Sequence, residues 1–201
     1  MKNYPEIIFK YSSVYDRRYK REWQNQNKKG KDYPSQKSIL NYIKKIEKLW
    51  KKEEKKVLKE ISKVSHLKWS QKSFECFVVG RCRPFAYPLT LPIYEGKSDY
   101  FIDVLTHELI HQLFIPETNK KKLKKAWSYF NRKYKAESRE TRIHILVYAI
   151  HSHIYMKFYG IKRLKKNIER IGFRKDYKRA WDIVQKEGAD NIIQEFTEKI
   201  K

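Results

Sequence analysis

Apolar residues between Ile39 and Ile61 lie on one face of a helix. Ile39, Ile43, Ile46, Trp50, Val57, Leu58 and Ile61 recur at spacings of three and four, with lysine and glutamate between them. The spacing predicts one long helix from Ser35 to about Ser62, backed against a core. The pattern then changes. Ser73 to Val79 is rich in β-formers and ends at Gly80, which predicts a strand and a turn. Leu89 to Tyr94 alternates, but Pro92 inside it makes it an edge strand or a strand end. An edge strand has free backbone groups that can pair with an extended peptide. Ahead of the long helix, Ile7-Ile8-Phe9 and the Tyr-, Arg- and Trp-rich tract up to Trp23 read as one helix. Asn25 to Pro34 reads as a loop.

Helical spacing returns after the strands. Ile102, Leu105, Leu109 and Leu113 form a stripe, with Ser98 or Asp99 to cap the start and Pro116 to stop the run. Glu117 to Trp127 is a charge run that reads as solvated, and Trp127 to Lys135 as an amphipathic helix. Glu137 to Tyr155 is a further helix, strongly apolar from Ile143. Gly160, Gly172 and Gly188 divide the remainder into short helices. Stripes at Tyr177 to Val184 and Ile192 to Phe196 close the core. No internal repeat is visible. The fold class expected is α+β, mainly helical, with a small antiparallel sheet from residues 73–94 on the helix that follows it. The length predicts one domain over 1–201, with a helical part at 1–70, a core at 71–160 and closing helices at 161–201.

The chemistry gathers in His107-Glu108-Leu109-Ile110-His111. On a helix the two histidines are one turn apart and project from one face, so two imidazoles can bind a single Zn2+. Glu108 stands beside them, where a carboxylate can take a proton from a water held by the metal. A catalytic zinc keeps three protein ligands and one open position. The third is sought in the stretch from Glu137, which aligns Glu137, Glu140, His144 and His151 on roughly one face. His144 is favoured, because Ile143, Ile145 and Leu146 enclose it and leave its ring in need of a partner. Glu140 and Glu137 are the alternatives, with Arg139 and Arg142 nearby as competing partners. His151 reads as core or as a support to the ligands. His66 and His153 have no partner visible in the sequence. Tyr148 or Tyr94 can supply a donor to an oxyanion.

Composition narrows the setting. Net charge is +24, from 47 basic and 23 acidic residues, a field that draws polyanions such as nucleic acid without sequence preference. Lysine-rich surfaces also serve solvation alone. There is no apolar run long enough for a membrane span and no signal-peptide core at the start. Cys76 and Cys82 match neither a disulfide framework nor a Cys-x-x-Cys pair, as in a reduced, cytoplasmic protein.

His107-Glu-Leu-Ile-His111 on a helix, preceded by a Pro-containing edge strand, resembles the zincin metallopeptidases. The resemblance covers Leu89 to His153, and its specific motif is the five-residue one. It implies a sheet packed on the active helix, an edge strand that holds substrate antiparallel, and a zincin-like catalytic core over 71–160. With Glu140 or Glu137 as third ligand the chain is similar to gluzincins. With His144 it is similar to the SprT-like, DNA-associated proteases. It departs from metzincins, because Gln112, Leu113, Phe114 and Ile115 follow His111 without their further Gly and His. The function implied is zinc-dependent hydrolysis of a peptide or protein substrate, with Glu108 as the base. The alternatives are a nucleic-acid-binding protein on a zincin-like fold, and a protease acting on nucleic-acid-bound proteins.

Overall fold

The computed structural model describes residues 4–26, 32–115, 117–171 and 174–201. The loop expected from Asn25 to Pro34 therefore lies partly outside the described residues. The helix stop at Pro116 and the helix end at Gly172 lie wholly outside them. In chain order the elements are β1 (Glu6–Tyr11), α1 (Ser13–Gln26), α2 (Gln36–Ser65), β2 (Ser73–Val79), β3 (Thr90–Pro92), α3 (Ser98–Phe114), α4 (Glu117–Lys133), α5 (Arg139–Phe158), α6 (Ile161–Ile171), α7 (Lys175–Glu187) and α8 (Ala189–Lys199). The chain is mainly helical, with one small sheet. Among the described residues no helix is long and apolar enough to cross a membrane.

Two compact units are present, residues 1–56 with 71–109, and residues 57–70 with 110–201. They are discontinuous in sequence. Helices α2 and α3 each supply residues to both.

The sheet belongs to the first unit and has the order β1-β2-β3. Both pairings are parallel, with Ile7 opposite Phe74, Phe9 opposite Cys76 and Phe77 opposite Thr90. This corrects the antiparallel sheet expected. The expected pair, β2 and β3, is parallel because residues 80–89 carry the chain back before β3 instead of turning it tightly into a hairpin. The third strand, β1, falls where a helix was expected. It alternates, burying Ile7 and Phe9. The chain then crosses over through α1 and α2 before β2, and a crossover of that length returns a strand parallel to the first. β3 lies at the edge as expected, but it is short. Both backbone groups of Thr90 are occupied by Phe85, at 3.1 and 3.0 Å. Little open edge is left for an extended peptide. Phe9 and Tyr42 both meet Phe101 of α3, at centroid distances of 5.9 and 5.7 Å, so the sheet and α2 back the start of that helix.

Asp16 fastens this unit. Its carboxylate accepts from the Gly80 amide at 2.8 Å, the Tyr33 hydroxyl at 2.6 Å and the Tyr11 hydroxyl at 3.0 Å. One buried side chain thus joins β1, α1, the approach to α2 and the end of β2. Gly80 is required there, because a Cβ would come within 2.5 Å of the Tyr33 ring.

In the second unit α5 is the central element and packs on α6, α7 and α8. Residues Ile145 to Ser152 are buried without a break, so this helix is enclosed on all sides. Asn119 near the start of α4 bonds the Lys68 and Leu113 carbonyls at 3.0 and 3.1 Å. The lysine run from Lys120 is exposed, as expected of a charge run, and it is helical, so that α4 begins well before Trp127.

Asp16→Ala is expected to lower stability by at least about 2 kcal/mol, since several donors lose their buried acceptor at about 1–3 kcal/mol each. Tyr33→Phe removes only one bond and is expected to cost about 1 kcal/mol. Urea unfolding of the two variants measures both. Equal midpoints for Asp16→Ala and the parent would show that the cluster contributes nothing.

Candidate metal centre

Helix α3 carries the motif. Ser98 opens it and Asp99 lies in its first turn, where a negative charge suits the helix dipole. From Phe101 to Leu113 only Val104 and His111 fall short of full burial. The apolar residues on three sides leave no solvated face, so the polar residues Thr106, His107 and Glu108 are buried with them. Thr106 satisfies its hydroxyl by bonding back to the Ile102 carbonyl at 2.8 Å.

Helix α5 supplies the second part of the centre. Ser138 caps it, accepting from the Thr141 amide at 3.0 Å and donating to Asp176 of α7 at 2.6 Å. The cap fixes where the helix starts, and so which way His144 points. The His144 Nδ1 lies 2.9 Å from the Glu140 carbonyl oxygen. A carbonyl has no proton to give, so Nδ1 carries the hydrogen and Nε2 carries the lone pair. Backbone bonds of this kind orient imidazoles that ligate metals.

The ligand nitrogens of His107, His111 and His144 lie within 4.8 Å of one another, with His107 and His144 buried and His111 half-buried. The His111 and His144 rings meet edge to face at 5.0 Å. Burial holds the His111 pKa down at about 3, and the neighbouring His144 and His151 push it the same way. A neutral ring is the form that binds metal. Three imidazole donors with no carboxylate or thiolate joining them, among the described residues, could hold a metal ion.

The glutamates held as alternatives are placed elsewhere. Glu137 lies before α5 and pairs with Arg179 of α7 at two points, 2.6 and 3.1 Å. That guanidinium holds its carboxyl below the usual carboxylate range. Its partner is thus neither Arg139 nor Arg142, the neighbours the sequence suggested; Arg142 bonds the Glu137 carbonyl instead. The Glu140 side chain is 45% exposed and outside the histidine cluster; its carboxylate lies 3.8 Å from the His144 Nδ1, which bonds the Glu140 backbone oxygen at 2.9 Å. His151 is fully buried two turns beyond His144 on α5, against Tyr155 at 4.7 Å, and is not in the cluster. His153 does have partners: Asp190 at 3.0 Å and Glu60 at 3.2 Å. His66 adopts a left-handed turn, φ 54°, just after α2.

Glu108 is buried within the first unit. Its carboxylate adds to burial in raising the Cys82 thiol to about 12, and it also raises Cys76 and Tyr94. Of the two tyrosines put forward as donors, Tyr148 is fully buried and stacked on Trp181 at 4.3 Å. Tyr94 is half-buried and lies against Tyr100 at 4.7 Å. Tyr177, on α7, carries no local signal of a place at the site. Its ring lies 4.2 Å from that of His144, and it is only half-buried. Helix packing alone brings the two together.

No protein-family model, curated protein or solved structure matches this chain.

The low pKa values predict acid sensitivity. His111 and His151 are each held at about 3, chiefly by burial, against about 6.5 in an unfolded chain. Below about pH 6.5 the unfolded chain takes up protons that the folded protein refuses. The metal-free protein is expected to keep its full stability above that pH. It should then lose about 1.4 kcal/mol per pH unit for each of the two rings as pH falls toward 3. Urea midpoints after chelation, taken from pH 7.5 to 5, measure the slope. A flat profile would mean that both rings protonate freely in the fold.

Proposed function

We propose that the chain is a zinc-dependent peptidase. In this reading His107, His111 and His144 hold Zn2+, and Glu108 is the general base. The observation that carries it is the convergence of three imidazoles, from two turns of α3 and from α5, with a buried carboxylate adjoining the first. Bound there, the metal would supply Lewis acidity toward a scissile carbonyl. The protein's own residues do the rest. The Glu140 carbonyl fixes the His144 tautomer, and burial keeps His111 neutral. Glu108 takes a proton from the hydrolytic water and returns it to the leaving amine, a transfer worth about 10²–10⁴-fold in rate. The substrate is a peptide or protein. The free thiols Cys76 and Cys82 suit the reducing cytoplasm.

Purified protein is expected to contain one zinc per chain, lost in His107→Ala and His111→Ala. Glu108→Gln should keep the metal and lose at least about 100-fold in peptide hydrolysis, because an amide cannot accept the proton. Elemental analysis and a quenched-peptide assay read these two outcomes. Zinc retained in both histidine variants would overturn the proposal.

The third ligand has its own measurement. Titrating zinc into the metal-free protein should show His144→Ala weakened by orders of magnitude. Glu140→Gln and Glu137→Gln should change affinity by about 10-fold or less, as groups outside the donor set do. A glutamate variant that cannot hold zinc would show that the donor set is wrong.

A further inference from the structure

Helix α2 presents an unbroken lysine face. Within Lys44 to Lys55, the positions that fall on one arc of about 120° are 44, 45, 48, 51, 52 and 55, at 100° per residue. All six are lysine, and all six are exposed. The opposite face carries Tyr42, Ile43, Ile46 and Trp50, which are buried. The stretch lies in the first compact unit, so the arc is a property of one rigid helix.

A solvated helix face normally mixes signs, with glutamates placed to pair with lysines a turn away. Here Glu47, Glu53 and Glu54 all lie off the arc, and the last two are engaged. Glu54 accepts from the Ile7 amide at 3.2 Å, and Glu53 pairs with Lys56 at 2.8 Å. None of the six lysines has an ion-pair partner among the described residues. Lys44, Lys48 and Lys52 follow one another at i,i+4, and Lys51 and Lys55 do so as well. Like charges at that spacing destabilise a helix. The stripe therefore works against the free protein, and a polyanion laid along it relieves the repulsion.

We infer that this face of α2 binds B-form duplex DNA through its phosphates. Charge density favours a nucleic-acid strand. The lysines from 44 to 55 span about 17 Å of helix axis, and one DNA strand presents about five phosphates over that length. Side-chain type favours backbone contact. Lysine is a point charge suited to phosphate, and the arc holds no arginine or amide to read base edges. It holds no aromatic residue on which single-stranded bases stack. It holds no apolar residue to enter a lipid surface. The B-form major groove, about 12 Å wide, admits a helix, whereas the A-form groove is too narrow. The two edges of the arc then face the phosphates of the two groove walls. This inference stands apart from the peptidase reading.

The test uses the full chain and a labelled 20-base-pair DNA duplex of arbitrary sequence, by fluorescence anisotropy from 50 to 200 mM salt. The four-site variant Lys44→Gln, Lys48→Gln, Lys51→Gln, Lys55→Gln is compared with a control of equal charge change on α4, Lys121→Gln, Lys122→Gln, Lys124→Gln, Lys125→Gln. Circular dichroism checks that both variants fold. The α2 variant is expected to lose at least about 10-fold in affinity at 100 mM salt. Its log–log salt slope should shrink by about 3.6, or about 0.9 per lysine. The α4 control should lose less than about 3-fold and keep its slope. Equal losses in the two variants would assign binding to the overall field and overturn the inference. So would absence of binding at 50 mM salt, equal or tighter binding of duplex RNA, or preferential retention on phosphatidylserine vesicles.

Discussion

Helices α3 and α5 are buried almost all the way round, and most of what is distinctive about the site follows from that. A helix without a solvated face cannot turn its polar side chains to water. Each must find a partner inside or lose its charge. Thr106 bonds its own backbone, and Ser138 and Thr141 share Asp176. His144 bonds the Glu140 carbonyl. His111 keeps its charge off. Enclosure makes the His111 imidazole costly to protonate, and the neutral ring is the form that can hold a metal. Stability and chemistry therefore draw on one feature, the low polarity around two helices.

Helix α2 is built on the opposite plan. Its apolar residues occupy one face and its lysines the other, so it separates a core contact from a solvent field. The two plans explain how a chain with a net charge of +24 still forms an ordinary interior. Positive charge is kept on faces that pack against nothing, and the buried helices contain few cations. Lys133, whose side chain is only 25% exposed, is paired with Glu187 at 2.8 Å and Glu195 at 2.7 Å.

Long-period features were legible in the sequence. The apolar repeat of α2, the strand from Ser73 and the motif helix all follow from spacing. β1 was not legible, because Ile8 is apolar on the outward side and breaks the alternation that marks a strand. The parallel run of β2 and β3 was not legible either, because residues 80–89 do not distinguish a return connection from a hairpin loop. The extent of α4 was hidden by its charge run, although a helix tolerates lysines on its outer face. At the site, local sequence put arginines beside Glu137 and Glu140, yet the partner that occupies Glu137 is Arg179 on another helix. Tyr177 against His144 is likewise a product of packing. The pattern was readable where neighbours in sequence are neighbours in space, and not elsewhere.

The parallel pairing of β1 with β2 bears on how the protein is made. Ile7 lies opposite Phe74, so the two strands are separated by the whole of α1 and α2. Closing so long a loop costs entropy before any pairing repays it, and contacts of this kind slow folding. Helical segments form in about a microsecond from local contacts alone. On a growing chain β1 emerges first, but its partner strand does not yet exist. It waits through the synthesis of both helices with Ile7 and Phe9 uncovered. The interval between the synthesis of β1 and that of β2 is thus one in which an apolar strand lacks its neighbour, a condition that favours association between chains.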